Sequence, residues 1–208
     1  MTRQPFWETA YRAGGPDPFG SASSEVLELL SWVAPGASVL DLGCGAGRNA
    51  FPLARAGMNV TAVDVSQSAC KRVSEIASAS SLRINVVHQD LRIYNFTDQY
   101  EVIIAHGILH LLPVPDRILL LNQMKSHTSP NGINVLAVFT NRIAAPPDLA
   151  SEFVGLFEEG ELHDAYMGWT VLLRSEYTLE DEHPGGIRHQ HPVNKIVARN
   201  SGRASIAV

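Results

Sequence analysis

Cysteine, clustered positive charge and long apolar runs are all scarce in this chain, and each scarcity closes off a class of function. Only Cys44 and Cys70 are present, with no CxxC spacing, which suggests neither a disulfide scaffold nor a thiolate zinc site and suits a reducing compartment. Sixteen Lys and Arg stand against 21 Asp and Glu, a formal net charge of −5. Phosphate-backbone binding relies on clustered cations, so nucleic acid is not an expected partner. No stretch reaches the roughly 18 apolar residues of a membrane span, and the opening MTRQPFWETAYRAGG has no hydrophobic signal core. The expectation is a cytoplasmic protein with no membrane partner.

What is present reads as ordinary globular sequence: 208 residues, 45% hydrophobic and 18% charged, enough for one compact domain spanning 1–208. Residues 1–20 are rich in Gly, Pro and aromatics and read as an irregular lead-in, with Phe6, Trp7 and Tyr11 available for packing. Ser23 or Ser24 is placed to cap a helix running to about Val33. From there strand and helix signals alternate: strand 38–42, helix from about 47 to 55, strand 59–63, helix 66–79, strands 84–88 and 102–105, helix 116–127 and strand 133–139. That alternation predicts βαβ units and a mostly parallel, doubly wound α/β sheet covered on both faces. After Pro146-Pro147 the signal weakens to a short helix near 148–156 and two strands, about 169–177 and 192–198, expected to make an antiparallel edge. Residues from about 140 to 199 are assigned to the substrate side, and 200–208 read as a frayed tail.

The most informative stretch is Val39-Leu40-Asp41-Leu42-Gly43-Cys44-Gly45-Ala46-Gly47-Arg48-Asn49, a strand running into a glycine turn and a helix. Ligands of open α/β sheets bind at this carboxyl edge. Arg48 stands where a dinucleotide fingerprint has its third Gly, so the pyrophosphate turn of NAD enzymes is not matched. Asp41, two residues before the loop, would repel a diphosphate but suits a cationic ammonium. Asp64 ends the next strand, where a carboxylate accepts from ribose hydroxyls, and Asp90-Leu91 closes the third, where they can meet an adenine. For each acid alone the alternative is a helix cap or a solvated loop residue.

With these residues the chain resembles the class I S-adenosylmethionine (SAM) dependent methyltransferases, and within them the TehB-like, tellurite-resistance group. The resemblance runs over about 22–199: Ser24-Glu25-Val26-Leu27-Glu28, the glycine loop, Tyr100 to Leu112, Pro130-Asn131-Gly132, and Phe157-Glu158-Glu159-Gly160-Glu161-Leu162 with Tyr166 and Gly168-Trp169. It implies a Rossmann-like, seven-stranded sheet with one reversed strand and SAM across its carboxyl edge. By family pattern Gly43, Gly45 and Arg48 lie near the methionine part, Asp64 and its neighbour Val65 at the ribose, Asp90 and Leu91 at the adenine, and Ala105 and His106 beneath the sulfonium. Ala22-Ser23-Ser24 stands where the family has Thr-His-Ser, so a substrate-facing His of the relatives has no counterpart. His106 and His110 take positions that are Thr and Met in the tellurite enzyme, while Arg188 matches a later Arg.

Methyl transfer is an in-line displacement at an activated carbon, so alignment in a water-poor cavity is the main requirement and no metal is demanded. An acceptor of high pKa would need a base, and His is the side chain that titrates near neutrality. His110 is the base candidate, with His106 and Arg188 beside it, and a satisfied structural His is the alternative. His189 and His191 share one face of the late strand, which invites a metal reading; without further ligands the expectation is that they and Arg188 line the acceptor pocket. Tyr11, Tyr166 and Trp169 are assigned to that pocket too. The function expected is methyl transfer to a small molecule, as a monomer or homodimer; a non-catalytic SAM-binding module and, behind it, an NAD-dependent oxidoreductase are the alternatives.

Overall fold

A computed structural model of the chain describes residues 5–12, 19–183 and 187–202. The elements follow as α1 (Phe6–Arg12), α2 (Ser24–Trp32), β1 (Ser38–Leu42), α3 (Ala50–Arg55), β2 (Asn59–Asp64), α4 (Gln67–Ala79), β3 (Ile84–His88) and β4 (Tyr100–His106). A 3-10 turn at Leu109–Leu111 leads to α5 (Val114–Ser126), β5 (Thr128–Phe139), α6 (Glu161–Asp164), β6 (Thr170–His183) and β7 (Ile187–Arg199). The seven strands run in the order β3-β2-β1-β4-β5-β7-β6. The chain gathers into two compact units, residues 1–105 and 106–208.

In the first unit β1 pairs in parallel with β2 and with β4, and β2 with β3. Val39, Leu40 and Leu42 are fully buried, as expected of a central strand covered on both faces. Registers such as Asp41↔Ala62 and Asp64↔His88 bring the carboxyl ends of β1, β2 and β3 to one edge. α4 starts cleanly because the Ser66 hydroxyl accepts from the Ala69 N–H at 3.1 Å, an N-cap bond. Ser23 occupies the N-cap position of α2 without a side-chain capping bond; its N–H instead donates to Asn49 Oδ1 at 3.1 Å.

In the second unit β7 runs antiparallel to both β5 and β6. The antiparallel part therefore lies at one side of the sheet, with the reversed strand one position in and β6 at the rim. β6 and β7 are longer than the sequence pattern indicates, pairing from Thr170↔Arg199 to His183↔Ile187. β5 also begins early, at Thr128, and passes through the Pro130-Asn131-Gly132 turn signal with Asn131 in the left-handed region at φ 64°.

Three further expectations change. The lead-in contains a real helix, α1, which packs on α4. The helix expected near 148–156 is a succession of turns with isolated helix-like bonds, such as Phe153 N–H to the Leu149 carbonyl at 3.0 Å. Its Pro146-Pro147 start and Gly155 finish leave too few residues for a costly helix nucleus to be repaid. The short α6 is present where no helix was expected.

Candidate functional site

The glycine loop after β1 is held from beneath. Gly43 and Cys44 N–H groups both donate to the Val63 carbonyl, at 2.8 and 3.1 Å, which ties the loop to the end of β2. Gly45 has φ +53°, and a Cβ built there would meet the Tyr11 hydroxyl at 2.2 Å. Glycine is thus required twice over, by dihedral and by the side chain that lies against it.

Two buried carboxylates face this loop. The Asp64 oxygens each accept one backbone N–H, Oδ2 from Gly45 and Oδ1 from Ser66, both at 2.8 Å. Burial pushes its pKa up, and those same bonds oppose the rise. The Val65 backbone N–H also favours the charged form, and a carboxylate acceptor at this strand end suits a ribose diol. Asp41 is completely enclosed, and its Oδ2 has no hydrogen-bond partner among the described residues. Burial raises its pKa to about 7, the Arg48 charge opposing and the Asp64 charge adding to the rise. A buried carboxylate oxygen without a donor is costly, and a cation arriving in the cleft would satisfy it.

Other residues expected on the cofactor side are placed as follows. Arg48 donates to the Phe19 and Ser21 carbonyls at 3.0 and 3.4 Å, so its guanidinium ties down the lead-in. Val65 is 47% exposed beside Asp64, an uncovered apolar face at the strand end, and Leu91 is buried. Both Asp90 oxygens accept from the Arg92 guanidinium, and Oδ1 also accepts the Arg92 backbone N–H at 2.9 Å, so this carboxylate is committed to Arg92 rather than open to an adenine amino group. Ala105 is fully buried next to the end of β4, which His106 closes.

The residues present fit SAM. The unpartnered Asp41 oxygen suits a cationic group, the loop admits close backbone approach, Asp64 offers paired acceptors, and Val65 offers a flat apolar contact.

The second unit gathers a separate cluster at the carboxyl end of β5. The Phe139 ring lies between His110, stacked at 4.2 Å, and His191, stacked at 4.6 Å, with Phe153 edge-on to all three. His189 lies 5.7 Å from the His191 ring, and its Nε2 is 3.3 Å from Asp148 Oδ1. Among the described residues no group of three or more His, Cys, Asp or Glu is arranged to hold a metal ion.

This geometry corrects several expectations. His110 Nδ1 accepts the Phe139 backbone N–H at 3.2 Å, so its one free lone pair is spent and the proton sits on Nε2. Burial, with the charges of His191 and His106, pulls its pKa down to about 3. In this arrangement the imidazole packs as a wedge against Phe139 and Phe153, with its acceptor nitrogen engaged by the Phe139 N–H. Arg188 and Gln190 are exposed while His189 and His191 are buried. Alternate residues of a strand face opposite ways, so Arg188 does not share the histidines' face. Tyr166 is 1% exposed, takes a 3.0 Å bond from Asn134 Nδ2 and meets Trp169 edge-on at 5.2 Å. Asn134 is five residues before Phe139, about 17 Å along β5 at the usual strand rise. Tyr166 is thus a core residue at the other end of that strand, with half-buried Trp169 beside it, and Tyr11 lies on the glycine loop.

The Phe157–Leu162 block, the most family-specific stretch, proves to be a structural clamp. The Arg117 guanidinium, 3% exposed, sits 3.8 Å over the Phe157 ring and pairs with Glu161 at 2.9 Å. Glu161 also accepts the Glu158 N–H at 2.8 Å. α1 escaped the sequence reading, although Glu8 and Arg12 at i,i+4 are a helix signal.

A doubly wound sheet of this strand order, with acids ending β1 and β2 beside a glycine loop, defines the class I methyltransferase fold. The chain belongs to the TehB family: the model of that family, the tellurite resistance protein TehB, matches residues 18–185. The probable S-adenosyl-L-methionine-dependent methyltransferase TehB of Haemophilus influenzae is 28% identical over 152 residues, 73% of this chain and 52% of that protein. Hemagglutinin 1 of Eikenella corrodens is 31% identical over 153 residues, 74% of this chain and 50% of that protein. The crystal structure of TehB from Haemophilus influenzae superposes with a TM-score of 0.77 at 25% identity, covering 86% of this chain and 62% of that one. The chain spans about half the length of the curated relatives it matches.

Proposed function

We propose that this chain is a SAM-dependent methyltransferase acting on a small molecule. The observation that carries the reading is Asp41: a buried carboxylate, one oxygen without a donor among the described residues, beside a loop with glycine at 43, 45 and 47. Bound there, the cofactor supplies a methyl carbon already activated by the neighbouring sulfonium. Asp41 holds the methionyl ammonium, Asp64 takes the ribose hydroxyls, and Val65 with Leu91 borders the adenine. The glycine-loop backbone lies along the methionyl part.

On the family resemblance we assign His106, His189 and His191 to the acceptor side, while Arg188 lies on the opposite face of β7. His110 supports the acceptor face by holding Phe139 in register and does not remove a proton. That favours acceptors nucleophilic as they stand at neutral pH, such as a thiolate or a metalloid oxyanion, over alcohols that must be deprotonated. Among the described residues no helix is long and apolar enough to cross a membrane.

The test is transfer of a labelled methyl group from SAM across a panel of thiols, selenite, tellurite, phenols and amines. Turnover with the first three classes and not with phenols is expected. Firm SAM binding with no turnover on any acceptor would instead support a non-catalytic module.

A further inference from the structure

The hydrogen bonds around Asp64 continue outward to α1. Glu8 accepts from the hydroxyl of Ser66, the N-cap of α4, at 2.5 Å and from that of Ser68, in the first turn of α4, at 2.6 Å. Ser66 also donates its backbone N–H to Asp64 Oδ1, and Gly45 donates to Asp64 Oδ2. Gly45 is the residue against which the Tyr11 hydroxyl lies, three residues after Glu8 on the same helix. Tyr11 meets Phe19 edge-on at 5.4 Å, and the Phe19 carbonyl is held by Arg48. Gly45 and Ser66, which both donate backbone N–H groups to the Asp64 carboxylate, are thus both touched by α1.

We infer that α1 is the closing wall of the cofactor cleft, with Glu8 as a positioning residue that couples its docking to the set of Asp64. This rests on reading the cleft as a SAM site. Burial would raise the Glu8 carboxyl, but bonds from Ser66 and Ser68 and the Arg12 charge outweigh it and hold the group ionised. A carboxylate at the start of α4 is also favoured by that helix's dipole. Docked, α1 fixes Ser66 and covers Gly45; undocked, it leaves the loop open and Asp64 without one constraint. Cofactor exchange then requires α1 to lift, and by linkage whatever the ligand gains from docked α1, α1 gains from the ligand.

The experiment uses the full chain with S-adenosylhomocysteine as the probe, measuring its dissociation rate and the amide hydrogen exchange of residues 6–12. In the unmodified protein the probe slows that exchange. Glu8→Ala is expected to speed dissociation about tenfold, which is 1.4 kcal/mol, and to abolish the slowing. Ser68→Ala, which leaves the Ser66 cap intact, moves both readouts the same way by about threefold, and Glu8→Gln restores part of each. Faster exchange in Glu8→Ala with an unchanged dissociation rate would reduce α1 to a structural prop and overturn the inference while the cofactor reading stands. Failure of the unmodified protein to bind the probe would overturn both.

Discussion

Replacing Asp41 by Asn should change both stability and ligand affinity, with signs set by its burial. The folded pKa is raised from 3.8 to about 7, with burial the leading cause, the Arg48 charge opposing it and the Asp64 charge adding to it. A group raised in this way gives its full contribution below about pH 4 and loses it as pH rises through 7. The span from 3.8 to about 7 is worth about 4 kcal/mol, which the free protein forfeits when Asp41 ionises in the absence of a cation. Asp41→Asn is therefore expected to stabilise the free protein by roughly 2–4 kcal/mol at pH 8 and hardly at all at pH 4, read from urea denaturation at both pH values. The amide still leaves a buried polar group short of partners, hence the lower bound. SAM reverses the sign, because its ammonium stabilises the charged carboxylate. At pH 6 the free group is about nine-tenths protonated, so binding should release nearly one proton, and affinity should drop about tenfold from pH 8 to pH 6. Calorimetry in two buffers of different ionisation heat reads that proton. Affinity independent of pH, no proton release, and Asp41→Asn binding as tightly as the parent would refute the reasoning.

Three further outcomes follow from the second unit. A Cβ on Gly155 would lie 1.9 Å from the Leu112 carbonyl oxygen, so Gly155→Ala should cost roughly 2–4 kcal/mol in denaturant unfolding. Glu161→Ala strands the Arg117 charge at 3% exposure and should cost about 2–3 kcal/mol, less than a fully buried pair because Glu161 itself is partly exposed; a neutral result in denaturant would mean that Arg117 finds another partner. The His110 pKa of about 3 means stability that is complete above the ordinary value of 6.5 and is lost as pH falls toward 3. His110→Gln should flatten that acid limb in a series of melts between pH 7 and pH 4.

The first unit was largely legible because its signals are local. Buried parallel strands read as apolar runs, and the bend after β1 announces itself through Gly43, Gly45 and Gly47. Acids at strand ends follow from the βα spacing. α1 was not legible in a Gly- and Pro-rich context, since what holds it is a contact 58 residues away in sequence, between Glu8 and Ser66. His110 looked like a base because nothing local shows that the Phe139 N–H claims its nitrogen. Tyr166 was read by its family block, whereas the block's own work is the Arg117 clamp, a contact made across 44 residues. The opposition of Arg188 to His189 and His191 follows from strand period alone and could have been drawn from the sequence.

Titration calorimetry with S-adenosylhomocysteine, set beside the same titration of Asp41→Ala and Asp64→Ala proteins shown to be folded, tests the central claim most directly. The account predicts saturable one-site binding to the parent chain and a loss of at least tenfold, 1.4 kcal/mol, in each variant. No heat with the parent chain, or equal affinity in all three proteins, would contradict it.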